Sequence, residues 1–264
     1  LVGAGAPMNA VTPALEARGL VKHFGGIAAT QEVTLVLPPG ARHALIGPNG
    51  AGKTTLVNLL TGVLAPSSGR ICLGGEDVTH LPVHRRVQKG LVRTFQISQL
   101  FETMTPLQTL AFAVQQAQAG SWNAWTPLGQ DTTVLARADH LLEQFHLSSL
   151  AGRTVRELPY GKRRLLEIAI ALATSARVLL LDEPMAGVPA HERSELLSIL
   201  GALPPEVAVL LIEHDMDLVF SFARRMTVLV NGAVLTEGSP ADIAADARVQ
   251  AVYLGTEPVQ AGAR

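Results

Sequence analysis

Short apolar runs, each bounded by turn or charged residues, recur along the chain and are typical of strands buried on both faces of a parallel β-sheet. A helical stretch follows each run. The runs comprise residues 44–46, 178–181 and 207–212. The pattern therefore predicts an α/β core built on a mostly parallel sheet.

The amino-terminal part of the chain shows shorter strand-like patterns. Residues 15–20 and 33–37 alternate in a way that predicts an antiparallel β edge to the core, and residues 71–73 are candidates to join it. We expect these strands to lie beside the parallel sheet.

A long segment without charged side chains occupies the middle of the chain. Residues 103–130 carry no charge but several amides, so the segment is too polar to span a membrane and predicts a helix followed by a loop. A second helical pattern begins near Thr133 and extends to Phe145, and helical periodicity returns at residues 164–173. The first two patterns predict a helical subdomain inserted into the α/β core.

These elements predict a single domain over residues 9–255. We expect its core to comprise residues 9–95 and 163–238, with the helical subdomain at 96–162. The carboxyl-terminal residues 239–264 are predicted to form a helical tail with a helix over 241–254. The sequence assigns no chemistry to this tail.

Composition narrows the classes of function. Of 264 residues, 48% are hydrophobic and 16% charged, which excludes a disordered chain and indicates extensive burial. The formal net charge of -1 disfavours a nucleic-acid partner. A single cysteine, Cys72, fits a reducing compartment, and residues 1–20 lack the pattern of a signal peptide, so we expect no export.

The strongest chemical signal follows the first buried run. It fits G-x-x-x-x-G-K-[ST] and stands between a predicted strand and a predicted helix over 53–60, which is the setting of a phosphate-binding loop. Inward-pointing N–H groups and the helix amino terminus would bind phosphates, Lys53 supplies a mobile charge, and the Thr54 hydroxyl is placed to coordinate Mg²⁺. The loop comprises Gly47, Pro48, Asn49, Gly50, Ala51, Gly52, Lys53, Thr54 and Thr55.

Two adjacent carboxylates end the second buried run. Because ligands bind at the carboxyl edge of a parallel sheet, Asp182 is expected to hold Mg²⁺ through water, and Glu183 to polarise the attacking water as general base. The alternative is a pair of acids that merely begins the turn at Pro184. The phosphate-binding loop favours the first interpretation.

Two further polar residues are candidates for the same edge. His214 follows the third buried run, so its imidazole is expected to contact the γ-phosphate and sense its loss. Gln96, at the junction into the helical insert, is a weaker candidate for binding Mg²⁺ or the attacking water. The other histidines, His43 included, are expected to be surface or capping residues.

Taken in this order, the motifs resemble the ATP-binding cassette (ABC) family of transporter ATPases over residues 15–255. The resemblance implies a P-loop NTPase (RecA-like) core with an antiparallel β edge and an inserted helical subdomain, with ATP as the nucleotide and Mg²⁺ as its ion. It also implies that Phe24 stacks on adenine. The residues that correspond to the family's signature, which acts on the partner subunit's nucleotide, are Leu158, Pro159, Tyr160, Gly161 and Lys162.

Several segments look more specifically like the ATPase subunits of branched-chain (hydrophobic) amino acid importers; they are residues 90–96, 160–169, 212–216 and 253–255. Urea importers and the lipopolysaccharide-export ATPase are similar. The resemblance implies a second ATPase subunit, two membrane permeases and, indirectly, a periplasmic or extracellular solute-binding protein. The chain would then be a peripheral subunit at the cytoplasmic face of the inner membrane.

In such a complex, ATP lies between two ATPase subunits, and its γ-phosphate biases their interface towards closure. The charge-free segment 103–130 would provide a docking surface for a permease helix, or it packs within the helical subdomain as an ordinary neutral loop. Both interpretations stay open.

The signature departs from the family pattern Leu-Ser-Gly-Gly-Gln. Pro159 offers neither the serine hydroxyl nor a backbone N–H, and Lys162 would offset part of the lost attraction through its charge. Residues 185–190 also lack the acidic or Asn residue that the family commonly has near Pro189. We therefore predict that the nucleotide site served by this signature is the weaker of the two. The alternative is that helix N–H groups suffice, since proline suits the first turn of a helix.

Two other classes of function compete with transport. A soluble ABC ATPase acting on ribosomes or DNA usually has two cassettes or basic or zinc-binding insertions, whereas this chain has one cassette and one cysteine. A nucleotide binder without hydrolysis is disfavoured because Lys53, Asp182, Glu183 and His214 are all present.

Overall fold

A computed structural model describes residues 12–94, 100–118 and 131–254 of the chain. Its strands in chain order are β1 (Leu15–Phe24), β2 (Ile27–Leu37), β3 (Arg42–Ile46), β4 (Ser68–Leu73), β5 (Glu76–Asp77), β6 (Leu91–Thr94), β7 (Val178–Asp182), β8 (Ala208–Ile212), β9 (Arg225–Val230) and β10 (Ala233–Gly238). Its α-helices are α1 (Lys53–Thr61), α2 (Val83–Gln88), α3 (Pro106–Gln118), α4 (Thr132–Gln144), α5 (Tyr160–Ala173), α6 (Ala190–Gly201), α7 (Met216–Phe222), α8 (Pro240–Ala245) and α9 (Ala247–Leu254).

The central sheet has six strands in the order β10-β9-β3-β8-β7-β6. Strands β6, β7, β8, β3 and β9 pair in parallel, and only β10 is antiparallel to its neighbour. The three predicted buried runs form β3, β7 and β8, and the helices α1, α6 and α7 follow them. The expected mostly parallel α/β core is confirmed.

The antiparallel strands form a sheet of their own, in the order β2-β1-β4-β5. Residues 15–20, 33–37 and 71–73 belong to β1, β2 and β4, and β1 pairs antiparallel with both of the others, so the predicted antiparallel edge is present. Contact with the central sheet is tight where the backbone amide of Gln31 in β2 donates to the carbonyl of Gly232 at 2.7 Å. The small sheet therefore stands directly beside the phosphate-binding loop.

Alternate residues of the central strands enter different parts of the core. Leu179 and Leu181 pack with the helices α3, α4 and α5, whereas Val178 and Leu180 pack with α1 and the antiparallel sheet. Covering both faces of a parallel sheet is what a continuous run of apolar residues requires. The carboxyl ends of the strands are left as the accessible edge.

Four details differ from the sequence expectations. Helix α5 begins at Tyr160 instead of residue 164, so the signature residues Tyr160, Gly161 and Lys162 lie in its first turn. The tail holds two short helices, α8 and α9, because the backbone of Asp246 is extended and its carboxylate accepts from the amide of Arg248 at 2.9 Å. The elements α2, β6, β9 and β10 had no sequence prediction. His43 is 1% exposed and pairs with Thr227, so it is a buried residue and not a surface one.

The helical insert contains α3 and α4 as expected, while residues 119–130 of the charge-free segment lie outside the described residues. Among the helices that the structure describes, none has the length and apolar composition needed to cross a bilayer.

Candidate functional site

The phosphate-binding loop joins β3 to α1 and closes back on itself. The amide of Ala51 donates to the carbonyl of Pro48 at 3.2 Å, and the amide of Gly232 donates to the carbonyl of Ala51 at 2.9 Å. Gly50 and Gly52 have φ angles of 77° and 99°, and Gly52 is the residue directly before α1. The loop thus presents the amino terminus of α1 at the carboxyl edge of the central sheet.

Two glycines of the loop are required by close backbone approach. A Cβ atom on Gly47 would lie 2.1 Å from the carbonyl oxygen of Leu229, and one on Gly52 would lie 2.4 Å from that of Ala29. Both distances are far inside van der Waals contact, and both residues also have positive φ angles. The neighbouring strands therefore fix the loop conformation.

Lys53 reaches back over the loop that precedes it. Its Nζ donates to the carbonyl oxygens of Gly47 at 2.7 Å and Pro48 at 2.9 Å. Burial lowers the pKa of Lys53, while the carboxylates of Glu183 and Asp182 act in the opposite direction. The ammonium group is thus held at the mouth of the loop by neutral acceptors that a phosphate, being charged, would readily replace.

Asp182 lies at the end of β7 and is paired with an arginine that the sequence analysis did not single out. Arg93, on the neighbouring strand β6, donates from Nη2 to Asp182 Oδ2 at 2.5 Å and from Nη1 to Asn58 Oδ1 at 2.7 Å. Both charged side chains are 14% exposed. The pair links β6, β7 and α1 at the point where the expected metal ligand is placed.

Glu183 and His214 come together as predicted. His214 Nδ1 lies 3.9 Å from Glu183 Oε1, and the amide of Glu183 donates to the carbonyl of Ile212 at 2.9 Å. Glu183 has a φ angle of 46°, a left-handed conformation that is uncommon for a residue other than glycine. The His214 side chain is 73% exposed, which leaves its imidazole accessible from outside the subunit.

Glu213 is a buried carboxylate directly before His214, and the sequence analysis did not select it. It is 2% exposed and accepts hydrogen bonds from the amides of Met185 and His214, both at 3.1 Å. Burial raises the pKa of its carboxyl, and the two backbone hydrogen bonds oppose that rise. A cavity of about 500 Å³ adjoins it, lined by Met185, Ala186, Gly187, Arg193, Glu213, His214 and Asp215.

Phe24 ends β1 and is 49% exposed, with Lys22 Nζ 5.4 Å from the centre of its ring. Thr54 is exposed in the first turn of α1. Phe24 is therefore accessible for stacking on a nucleotide base. Gln96 lies outside the described residues, so its predicted role in binding Mg²⁺ or water stays a prediction.

The signature residues lie at the start of α5, far along the chain from the phosphate-binding loop: Leu158 and Pro159 precede the helix, and the other three begin it. Pro159 precedes the helix with φ −53° and ψ 153°, and it offers no side-chain cap. Instead, the amide of Gly161 donates to Glu192 Oε2 of α6 at 2.7 Å. Lys162 Nζ lies 2.7 Å from Glu195 Oε1, also of α6, so its charge is balanced within the chain.

Three residues of this region escaped sequence reasoning: Arg93, Glu192 and Glu213. Each acts through a partner distant in sequence, with separations of 89, 31 and 28 residues. Glu213 does carry a sequence signal, because it stands between a run of apolar residues and His214, where an apolar residue would be expected.

The residues present fit a nucleoside triphosphate. The loop presents the amino terminus of α1, where an anion binds favourably, and Lys53 adds a cation at the mouth of the loop. The Thr54 hydroxyl and the Asp182 carboxylate are hard oxygen donors of the kind that Mg²⁺ prefers. The donor set therefore suits a magnesium nucleotide.

Comparison with known proteins identifies the family of the chain. A sequence model of the ABC transporter family matches residues 30–186, and a model described as a branched-chain amino acid ATP-binding cassette transporter matches residues 233–259. These matches include the loop, Asp182 and Glu183, and the carboxyl-terminal part of the chain.

Relatives of similar length are known. The high-affinity branched-chain amino acid transport ATP-binding protein BraF of Pseudomonas aeruginosa is 40% identical over 250 residues, covering 92% of this chain and 98% of the relative. The protein of that description named LivG from Escherichia coli is 39% identical with the same coverage. A crystal structure of the ADP conformation of an ATP-binding cassette of an ABC transporter superposes with a TM-score of 0.80 at 30% identity, covering 92% of this chain and 99% of that one.

Proposed function

The chain belongs to the ATP-binding proteins of ABC transporters, in the branched-chain amino acid transport branch, and on that premise we propose how its residues power an importer. It is an ATPase subunit whose hydrolysis is coupled to transport. The match of residues 233–259 favours amino acids over urea or lipopolysaccharide, the alternatives that the sequence left open.

Hydrolysis takes place at the carboxyl edge of the central sheet. The loop amides and Lys53 bind the β- and γ-phosphates, and Phe24 stacks on adenine. Glu183 takes a proton from water as the water oxygen attacks the γ-phosphorus and the bond to the bridging oxygen breaks, which gives ADP and phosphate. The observation that carries this assignment is that Glu183, with its positive φ angle, and His214 meet at this edge.

Thr54, Asp182 and Gln96 would hold Mg²⁺, which would supply positive charge to neutralise the phosphates. Arg93 orients the Asp182 carboxylate, because its guanidinium donates to that carboxylate and to Asn58 together. His214 contacts the γ-phosphate and responds to its loss.

Within the complex, two such subunits enclose the nucleotides and associate with two permeases at the cytoplasmic face of the inner membrane. The exposure of the His214 imidazole supports a site that a second subunit completes. A solute-binding protein would deliver the substrate to the permeases. No nucleic acid takes part.

The altered signature makes the two nucleotide sites unequal. Pro159 has no hydroxyl for a γ-phosphate, and the charge of Lys162 is already balanced by Glu195. We therefore expect the site built on Lys53 and Glu183 of this chain to be the stronger one, provided that the partner subunit carries an intact signature.

Replacement of the general base tests the hydrolytic assignment. In the complex purified from membranes, Glu183→Gln should nearly abolish steady-state ATP hydrolysis while ATP binding is retained. Glu206 is an exposed carboxylate that precedes the amino-terminal end of β8, at the end of the strand away from His214. Glu206→Gln is therefore the matched control and should hydrolyse ATP normally. Hydrolysis at the wild-type rate in Glu183→Gln would remove Glu183 from this role.

Purification tests the assembly separately. The tagged chain, isolated from its own membranes in mild detergent, should bring two permeases and a second ATPase subunit. Recovery with ribosomes or DNA, or with no membrane protein, would contradict the proposed partners.

A further inference from the structure

Glu213 joins the two loops that carry the hydrolytic side chains. One of its oxygens accepts from the amide of Met185, two residues after Glu183, and the other accepts from the amide of His214. The loops after β7 and β8 are therefore tied together by a single carboxylate. The carboxylate is almost completely buried, since its side chain is 1% exposed.

A charge at this position is costly. A neutral hydroxyl or amide oxygen could also accept hydrogen bonds from the two backbone N–H groups. Burying a carboxylate is unfavourable unless a cation or several donors lie beside it. The group near the carboxylate that can carry a positive charge is the imidazole of His214, whose Nδ1 lies 3.7 Å from Glu213 Oε2. Arg193 lines the same cavity, but its guanidinium is 3.5 Å from Asp215.

We propose that Glu213 is a positioning residue for His214: its buried carboxylate keeps a proton on Nδ1 and fixes the ring, so that Nε2, on the far side of the ring, faces the γ-phosphate. Which imidazole nitrogen carries a proton is set by the partner of the other nitrogen. With Nδ1 directed towards Glu213, Nε2 is the ring nitrogen left to meet the γ-phosphate.

At 3.7 Å, the contact between His214 Nδ1 and Glu213 Oε2 is longer than a hydrogen bond. We expect it to shorten when the γ-phosphate is in place, as contacts in hydrolytic sites do when the substrate completes them. Because the same carboxylate holds the Met185 amide, the shift of the His214 ring would be transmitted to the loop after Glu183.

This inference rests on the proposed function, and its test separates the two. In the full chain labelled with ¹⁵N, the ring nitrogens of His214 are assigned by comparison with His214→Gln. The wild type should carry a proton on Nδ1, and Glu213→Gln and Glu213→Ala should lose that proton from Nδ1. Glu183→Gln is the control within the site. His214 should keep its Nδ1 proton in this variant, although Glu183 Oε1 lies 3.9 Å from Nδ1.

Kinetics in the purified complex provide the second readout. Glu213→Gln should lower kcat by about ten- to hundredfold with little change in KM, the size of effect typical when a partner that orients a functional histidine is lost. Glu206→Gln should change neither constant. Glu213→Gln preserves side-chain volume, so it remains informative if Glu213→Ala fails to fold.

The outcomes are distinguishable. An unchanged His214 ring spectrum in both Glu213 variants, or an unchanged kcat in Glu213→Gln, overturns the positioning role while Glu183-dependent hydrolysis stands. Absence of hydrolysis in the wild-type complex contradicts the proposed function, and the ring spectrum still tests the contact between Glu213 and His214.

Discussion

Arg93 Nη2 lies 2.5 Å from Asp182 Oδ2. The acid expected to hold the metal is therefore paired with a residue of β6, the strand that precedes Gln96 in the chain. The same guanidinium reaches Asn58 on the helix that follows the phosphate-binding loop. Because both partners of the ion pair are largely buried, the pair is a structural connection as well as a charge balance.

Removing Arg93 should therefore destabilise the fold through the carboxylate it leaves behind. Arg93→Met is expected to lower the free energy of unfolding by about 2–3 kcal/mol, because a largely buried charge loses its hydrogen-bonded partner. The double variant Arg93→Met/Asp182→Asn should recover part of that loss, since no unpaired charge remains. Denaturant titration of Arg93→Met, Asp182→Asn and the double variant measures the coupling between the two residues. Strictly additive losses in the free energy of unfolding would contradict the prediction.

The amide of Gly161 gives a second prediction, because Glu192 caps the start of the signature helix from α6. Glu192→Ala should lower the free energy of unfolding by about 1 kcal/mol, the usual value of an acidic cap at a helix amino terminus. Glu143 is an exposed acid near the carboxyl end of a different helix, α4, so Glu143→Ala serves as the control. Equal stability of the wild type and Glu192→Ala would show that the cap contributes nothing.

The missing hydroxyl at Pro159 gives a third prediction. Pro159→Ser should raise ATP turnover of the complex, because the new hydroxyl can donate to the γ-phosphate of the opposite site. The measurement is steady-state turnover, with wild-type complex purified in parallel. Unchanged turnover would favour the alternative in which the helix N–H groups suffice, an arrangement that the unstrained backbone of Pro159 permits.

His43 gives a prediction about pH. Burial lowers its pKa from 6.5 to about 4, and Arg225 contributes in the same direction while Glu237 opposes it. The unfolded chain binds the proton at higher pH than the folded chain does, so stability is lost as pH falls from about 6.5 towards 4.

At about 1.36 kcal/mol for each unit of pKa, the loss attributable to His43 approaches about 3 kcal/mol. His43→Gln removes the group that takes up the proton. The free energy of unfolding of this variant should fall less between pH 7 and pH 4 than that of the wild type. Parallel pH dependences of the two proteins would contradict the prediction.

The sequence was sufficient where a local pattern carries the information. The strand before Gly47, the loop glycines and the helix after Lys53 are adjacent in sequence, so periodicity and spacing specify them together. The same holds for Asp182 and Glu183, which end a buried strand. These elements formed as predicted.

Sequence reasoning failed where distant residues decide the structure. The pairing of Arg93 with Asp182, and of Gly161 with Glu192, depends on which strands and helices become neighbours, and spacing does not reveal that. Helix α5 begins before residue 164 because Glu192 satisfies an amide of its first turn. The tail helix is divided at Asp246, whose carboxylate competes with the helix for a backbone amide.

Uptake of leucine by cells is the most direct test of the central claim, that ATP hydrolysis by this chain drives import of branched-chain amino acids. Cells lacking the chain should recover uptake of radiolabelled leucine when they express the wild type, and should not recover it with Glu183→Gln at equal expression. Recovery with Glu183→Gln, or no recovery with the wild type, would contradict the account.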